Sequence, residues 1–112
     1  MERSEVIGMN DAERAEVKRN KAVRGYIIRC LVKGFNNSAL TRQVSNAMIA
    51  SGLIISPDIS KYLDYLGDAG YIEFTEDRIT AYTAYANDAV IRLTKEGVDL
   101  AEGTITDPGV DI

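Results

Sequence analysis

The sequence predicts an α+β domain in which helices lead and a small sheet follows. Three observations carry this. Ile59, Tyr62, Leu63 and Leu66 fall at i, i+3, i+4 and i+7, one face of a helix. Tyr71–Phe74 and Ala89–Leu93 are short alternating runs of the kind that form strands. Thr94 then precedes Lys95–Leu100 as the N-cap of a short helix. A chain of 112 residues, 46% hydrophobic and 27% charged, has ordinary globular composition and the length of one domain.

The elements follow in order. Residues 1–10 read as a flexible start. Asn10 with Glu13 three positions on is a capping-box pattern, so the first helix begins at Asp11 and runs to about Lys33, where Gly34 closes it. Val23, Ile27, Cys30 and Leu31 share its inward face. The opposite face collects Arg14, Lys18, Lys21 and Arg29, with Gly25 among them. Asn36–Ser38 is a turn and cap. A second helix over about 39–51 points Leu40, Val44, Ala47 and Met48 inward and ends at Gly52. Leu53–Ile55 is too short for a helix and reads as a small strand or buried linker. Ser56 as N-cap and Pro57 at N1 start the third helix, which ends near Ala69 with Gly70 in the left-handed position that stops a helix. Residues 75–88 are a long polar connection between the strands, part of which extends them. The fourth helix runs from Lys95 to Glu102 and stops at Gly103. Pro108 and Gly109 keep 104–112 from being helical, so that tail is either free or laid along the body. The domain is therefore 11–103. Its expected core is Val23, Ile27, Leu31, Leu40, Val44, Met48, Ile59, Leu63, Leu66, Ile72, Ile91 and Leu93.

The net charge of −4 hides an asymmetry. Residues 1–56 carry nine bases against five acids, net +4, and residues 57–112 carry four bases against twelve acids, net −8. Opposed halves point to a polyanion contact by the basic half or to self-association, where both are not simply solvated faces. The chain lacks histidine, which removes His-dependent acid–base and nucleophilic catalysis. It has no Cys-x-x-Cys zinc pattern and no phosphate-binding glycine loop. A carboxylate cation site at Glu73, Glu76 and Asp77 is a weaker reading than a solvated loop. Cys30, the one cysteine, reads as a structural thiol rather than a reactive one. No apolar run reaches the 18 or more residues of a spanning helix, and the start Met-Glu-Arg-Ser-Glu leads into no apolar leader. No enzyme activity, catalytic residue, cofactor, metal or membrane contact is expected.

Two motifs carry a resemblance. The helix–helix–helix–hairpin order, with Leu63-x-x-Leu66-x-x-x-Gly70-Tyr71-Ile72 and Leu93-Thr94-x-x-Gly97-x-x-Leu100, resembles the winged helix-turn-helix superfamily over about residues 11–102. A narrower resemblance is to small winged-helix-like proteins of Mu-like phages and prophages. It rests on Asn37-Ser38-Ala39-Leu40, on Gly52 with Ser56-Pro57-Asp58, and on the block from Leu93 to Gly103 followed by Pro108-Gly109-Val110. The chain departs from that pattern in its Pro-Gly-Val-Asp-Ile ending, where a basic end is expected. The resemblance implies a three-helix core, a β-hairpin wing and a short C-terminal helix. It also implies a cytoplasmic protein of the bacterial host, acting near phage genome packaging or gene control.

In a winged helix that reads DNA, the third helix enters the major groove. Here that helix offers Lys61, Asp64, Tyr65 and Asp68, and two carboxylates repel phosphates. The remaining route to DNA is weak and non-specific. It uses Arg14, Lys18, Lys21, Arg29 and Arg42, joined by Arg78, Tyr82 and Tyr85 from the wing, although tyrosines at this spacing also serve sheet packing. The alternative is a protein–protein interaction module using Lys61, Asp64, Tyr65 and Asp68. In it the basic first helix docks on the acidic third or fourth helix of another copy, giving a homo-oligomer, or on a phage or host protein.

Overall fold

The capping box at Asn10 forms as the sequence predicts. Asn10 Oδ1 accepts the Glu13 amide at 2.9 Å, and Glu13 Oε1 accepts the Asn10 amide at 2.8 Å. This opens α1 (Asp11–Lys33) in a computed structural model that describes residues 9–112. Of the expected flexible start at 1–10, residues 1–8 lie outside the described residues. The two halves of α1 differ. Residues 11–19 are all exposed, whereas Val23, Gly25, Ile27, Ile28 and Leu31 are buried. The cause is compositional: before Ala22 the helix has one large apolar residue, Val17, and so nothing to bury.

After Gly34 a single 3-10 turn, Phe35–Asn37, leads into β1 (Ser38–Leu40) and then α2 (Thr41–Ala50). The second helix therefore starts two residues later than expected, because Ser38–Leu40 pairs with a strand far along the chain. Leu40 is corrected with it. It is 43% exposed and outside the core, since strand alternation turns Ala39 inward. On α2 the buried hydroxyls are satisfied: Thr41 Oγ1 donates to Ala89 O at 2.7 Å and Ser45 Oγ to Pro57 O at 2.8 Å.

Those bonds also explain the next correction. Pro57 does not open a helix, because its carbonyl turns to Ser45. Asp58 Oδ1 accepts both the Ser60 amide at 3.0 Å and the Ser60 hydroxyl at 2.6 Å. α3 (Ser60–Asp68) begins there, after Ile59, four residues beyond Ser56. Leu53–Ile55 forms no strand, and Ile55 is 98% exposed.

α3 ends as expected at Gly70, whose φ of +85° is open to glycine at little cost. β2 (Ile72–Phe74) follows. The connection 75–89 adds no strand. It folds back through a one-turn helix, α4 (Ala84–Asn87), which buries Ala84, with Ala81 buried just before it. β3 (Val90–Leu93) and α5 (Lys95–Ala101) complete the domain, with Thr94 Oγ1 capping the Gly97 amide at 3.1 Å.

The sheet is antiparallel in the order β1-β3-β2, with Ala39 opposite Ile91 and Ile72 opposite Leu93. The core lies between one sheet face and the helices. Val23, Ile27, Ile28 and Leu31 of α1 meet Val44, Met48, Leu63, Leu66, Ile72, Ile91 and Leu93. Tail residues 104–112 are laid along the body, with Val110 buried at 5% exposure. Among the described residues no helix is long and apolar enough to cross a membrane.

Candidate interaction surfaces

The predicted basic stripe on α1 is not one free surface. Its first turns, bearing Arg14 and Lys18, are exposed, and Arg14 sits 3.5 Å from Asp11. Further along, the tail covers the stripe. The Asp111 amide donates to Lys21 O at 3.1 Å, and Arg29 Nη1 donates to Asp111 O at 3.3 Å. Arg24 Nη1 donates to Gly109 O at 3.0 Å. The close approach depends on Gly25, where a Cβ would stand 1.8 Å from Asp111 O. A glycine inside a helix costs about 0.5–1 kcal/mol relative to alanine. That cost was the sequence signal that backbone passes here.

The tail is also tied at Asp107. Tyr71 Oη donates to Asp107 Oδ2 at 2.6 Å, and the Gly109 amide donates to Oδ1 at 2.8 Å. That hydrogen bond, with burial and the carboxylate charge, pushes the Tyr71 phenol up to about 12. The bond from Tyr71, then the Gly109 amide and the Arg24 charge, hold Asp107 below the usual carboxylate value. The raised phenol stabilises the folded state fully below its unfolded value of 10.0, and the contribution is lost as pH climbs toward about 12. The depressed carboxylate contributes above 3.8, and its part is lost as pH falls through the folded value. Protection of the 109–111 amides, taken relative to the intrinsic exchange rate at each pH, is therefore expected to be highest between about pH 4 and 10 and to fall on both sides. Tyr71→Phe removes a hydrogen bond to a charged acceptor, worth about 1.5–3 kcal/mol, and should make those amides exchange faster at neutral pH. Exchange unchanged by the substitution would show that Asp107 does not hold the tail.

The other candidates fall into two groups. Arg42 and Tyr85 meet, but in a structural role. Arg42 Nε and Nη2 donate to Tyr85 O at 3.0 Å and Ala86 O at 2.9 Å, and its amide donates to Asp88 Oδ1 at 3.0 Å. The guanidinium thereby pins the β2–β3 connection to α2. Arg78 is exposed in that connection. Tyr82, 66% exposed, comes to the acidic face of α3. Asp64 first, with Asp68 and Asp58, raises its phenol pKa.

Lys61, Asp64, Tyr65 and Asp68 are brought together. With Asn20, Arg24 and Tyr62 they line a cleft of about 440 Å³ between α1 and α3. Arg24 stacks on Tyr65 with 3.6 Å to the ring centroid, and Lys61 reaches Glu16 at 3.9 Å. Sequence reasoning missed Arg24, because its helical position alone does not say which ring it covers. Elsewhere Glu73 pairs with Arg92 across the sheet. Cys30 lies half-buried in a second groove, where burial raises its thiol pKa against the opposing charges of Lys33 and Arg29. Among the described residues no three His, Cys, Asp or Glu side chains gather around a cation position. Comparison with protein-family models, curated proteins and solved structures finds no match for the chain.

Proposed function

We propose that the chain is a winged-helix protein-interaction module, binding a macromolecular partner rather than catalysing a reaction. The winged-helix reading is supported by the order helix, strand, helix, helix, strand, connection, strand, and by the sheet order β1-β3-β2. In that frame α3 is the helix a DNA reader lays in the major groove. One observation carries the functional choice: the outward side of α3 holds Asp64 and Asp68, which line the α1–α3 cleft with Lys61 and Tyr65 and whose charge also raises the Tyr82 phenol pKa. Carboxylates there oppose the phosphate neutralisation that dominates duplex binding. They suit a basic or polar protein surface. The working context, a complex encoded by a Mu-like phage or prophage and concerned with packaging or gene control, follows from the resemblance alone.

A second reading keeps weak, non-specific DNA binding. It is favoured by the exposure of Arg14 and Lys18 on the projecting start of α1 and of Arg78 in the wing. A duplex titration at two salt concentrations separates the two. The protein-contact reading expects little retention of wild type at low salt and no change on Lys18→Glu with Lys21→Glu. It further expects Asp64→Arg with Asp68→Arg to raise duplex affinity at least tenfold, because reversal converts repulsion into about two phosphate contacts. Tight wild-type binding with a steep salt slope, abolished by the Lys18/Lys21 reversal, would instate the nucleic-acid reading.

A further inference from the structure

The tail and its seat have the anatomy of an exchangeable contact, on a surface that adjoins the α3 face where Arg24 stacks on Tyr65 and Gly109 lies against the Tyr65 hydroxyl. Residues 107–111 are docked: Val110 is buried, three backbone groups of Gly109 and Asp111 bond to Lys21, Arg24 and Arg29, and Asp107 bonds to Tyr71. The seat is basic and the segment acidic, so the two are complementary in charge as well as shape. Between α5 and the docked segment lie residues 102–106, all exposed. They form an arm anchored to α5 by the Thr104 and Ile105 amides, which donate to Asp99 O at 2.8 and 3.3 Å, and the segment reaches α1 from that anchor.

We propose that this seat on α1 is an oligomerisation site, and that its occupant in an assembly is the 107–111 segment of a second copy. The hydrogen bonds that Lys21 O, Arg24 and Arg29 make to the segment all involve its backbone, so a neighbour's identical segment satisfies them equally well. Such exchange of an identical element is a low-cost route to oligomers. The tethered segment has an effective concentration on the order of millimolar, so dilute wild type keeps its own tail and exchange grows toward that concentration.

Two single substitutions separate seat from segment. Gly25→Ala puts a Cβ where Asp111 O now lies, 1.8 Å away, and blocks the seat while leaving the tail sequence intact. Alanine also suits the α1 interior. Val110→Asp spoils the segment and leaves the seat open. In full-length chains each variant alone is expected to sediment as a monomer at every concentration, with fast amide exchange at 109–111. Mixed in equal amounts, the two should form a 1:1 complex, the intact tail of the first entering the open seat of the second. A peptide of residues 104–112 should bind Val110→Asp at least tenfold more tightly than wild type, and should not bind Gly25→Ala. If Val110→Asp loses its helical signal, Val110→Ser takes its place. A mixture that stays monomeric, or Gly25→Ala that retains wild-type protection at Asp111, overturns the proposal. The experiment reads exchange of the tail and uses neither duplex nor a substitution on α3, so its failure leaves the proposed function standing.

Discussion

Leu63→Ala is expected to lower the free energy of unfolding by about 2–5 kcal/mol. Leu63 is 1% exposed on α3 and belongs to the cluster that joins α1, α2 and the sheet. Leucine and alanine are both good helix formers, so helix propensity contributes little and the loss comes from transfer plus the cavity left behind. A domain of this size has about 5–15 kcal/mol in total, so the mutant should unfold at a much lower urea midpoint with a similar slope. A midpoint equal to wild type would show that α3 does not pack by this face. The proposed function would then lose its frame, since the acidic side of α3 is outward only because Leu63 and Leu66 are inward.

Gly97→Ala is expected to destabilise the fold by about 1–3 kcal/mol, against the sign helix propensity alone would give. Within a helix, glycine to alanine ordinarily gains about 0.5–1 kcal/mol. At Gly97 the new Cβ would stand 2.1 Å from Tyr71 O and 2.9 Å from a Leu93 methyl. Tyr71 O is fixed from the other side, because it accepts the Thr94 amide at 3.0 Å. Overpacking against backbone therefore outweighs the propensity gain. Gly67→Ala is the internal control. It lies in α3 with nothing within 4 Å of its Cβ position, and should stabilise by about 0.5–1 kcal/mol. Thermal melts of the two variants should move in opposite directions. A shift of the same sign in both would mean that α5 does not press on the Tyr71 backbone. Gly97 falls within the Leu-Thr-x-x-Gly block that carries the family resemblance, and this contact is a physical reason for glycine there.

How far the charges were legible follows from the same distinction. The split between a basic first half and an acidic second half, and the acidity of α3, are properties of composition and period, and both could be read directly. Which charges remain available to a partner could not. Arg24, Arg29 and Arg42 look alike in the sequence as surface cations. Arg24 stacks on Tyr65, Arg29 bonds to the tail, and Arg42 holds the turn at Tyr85 and Ala86. Each partner lies more than forty residues away, and no local pattern encodes it.

By itself the sequence determined the local elements: the capping box at Asn10, most of the buried faces of α1, α2 and α3, the stop at Gly70, the strands β2 and β3 and the Thr94 cap. These depend on interactions within a few residues, which periodicity and capping chemistry report. Tertiary structure alone decided that Ser38–Leu40 is a strand and that Pro57 gives its carbonyl to Ser45. It also decided that α4 interrupts the long connection and that residues 107–111 lie on the glycine of α1. In each of these a backbone group is claimed by a distant part of the chain. A hydrogen bond gained across the fold outweighs a propensity difference of a few tenths of a kcal/mol at the position itself.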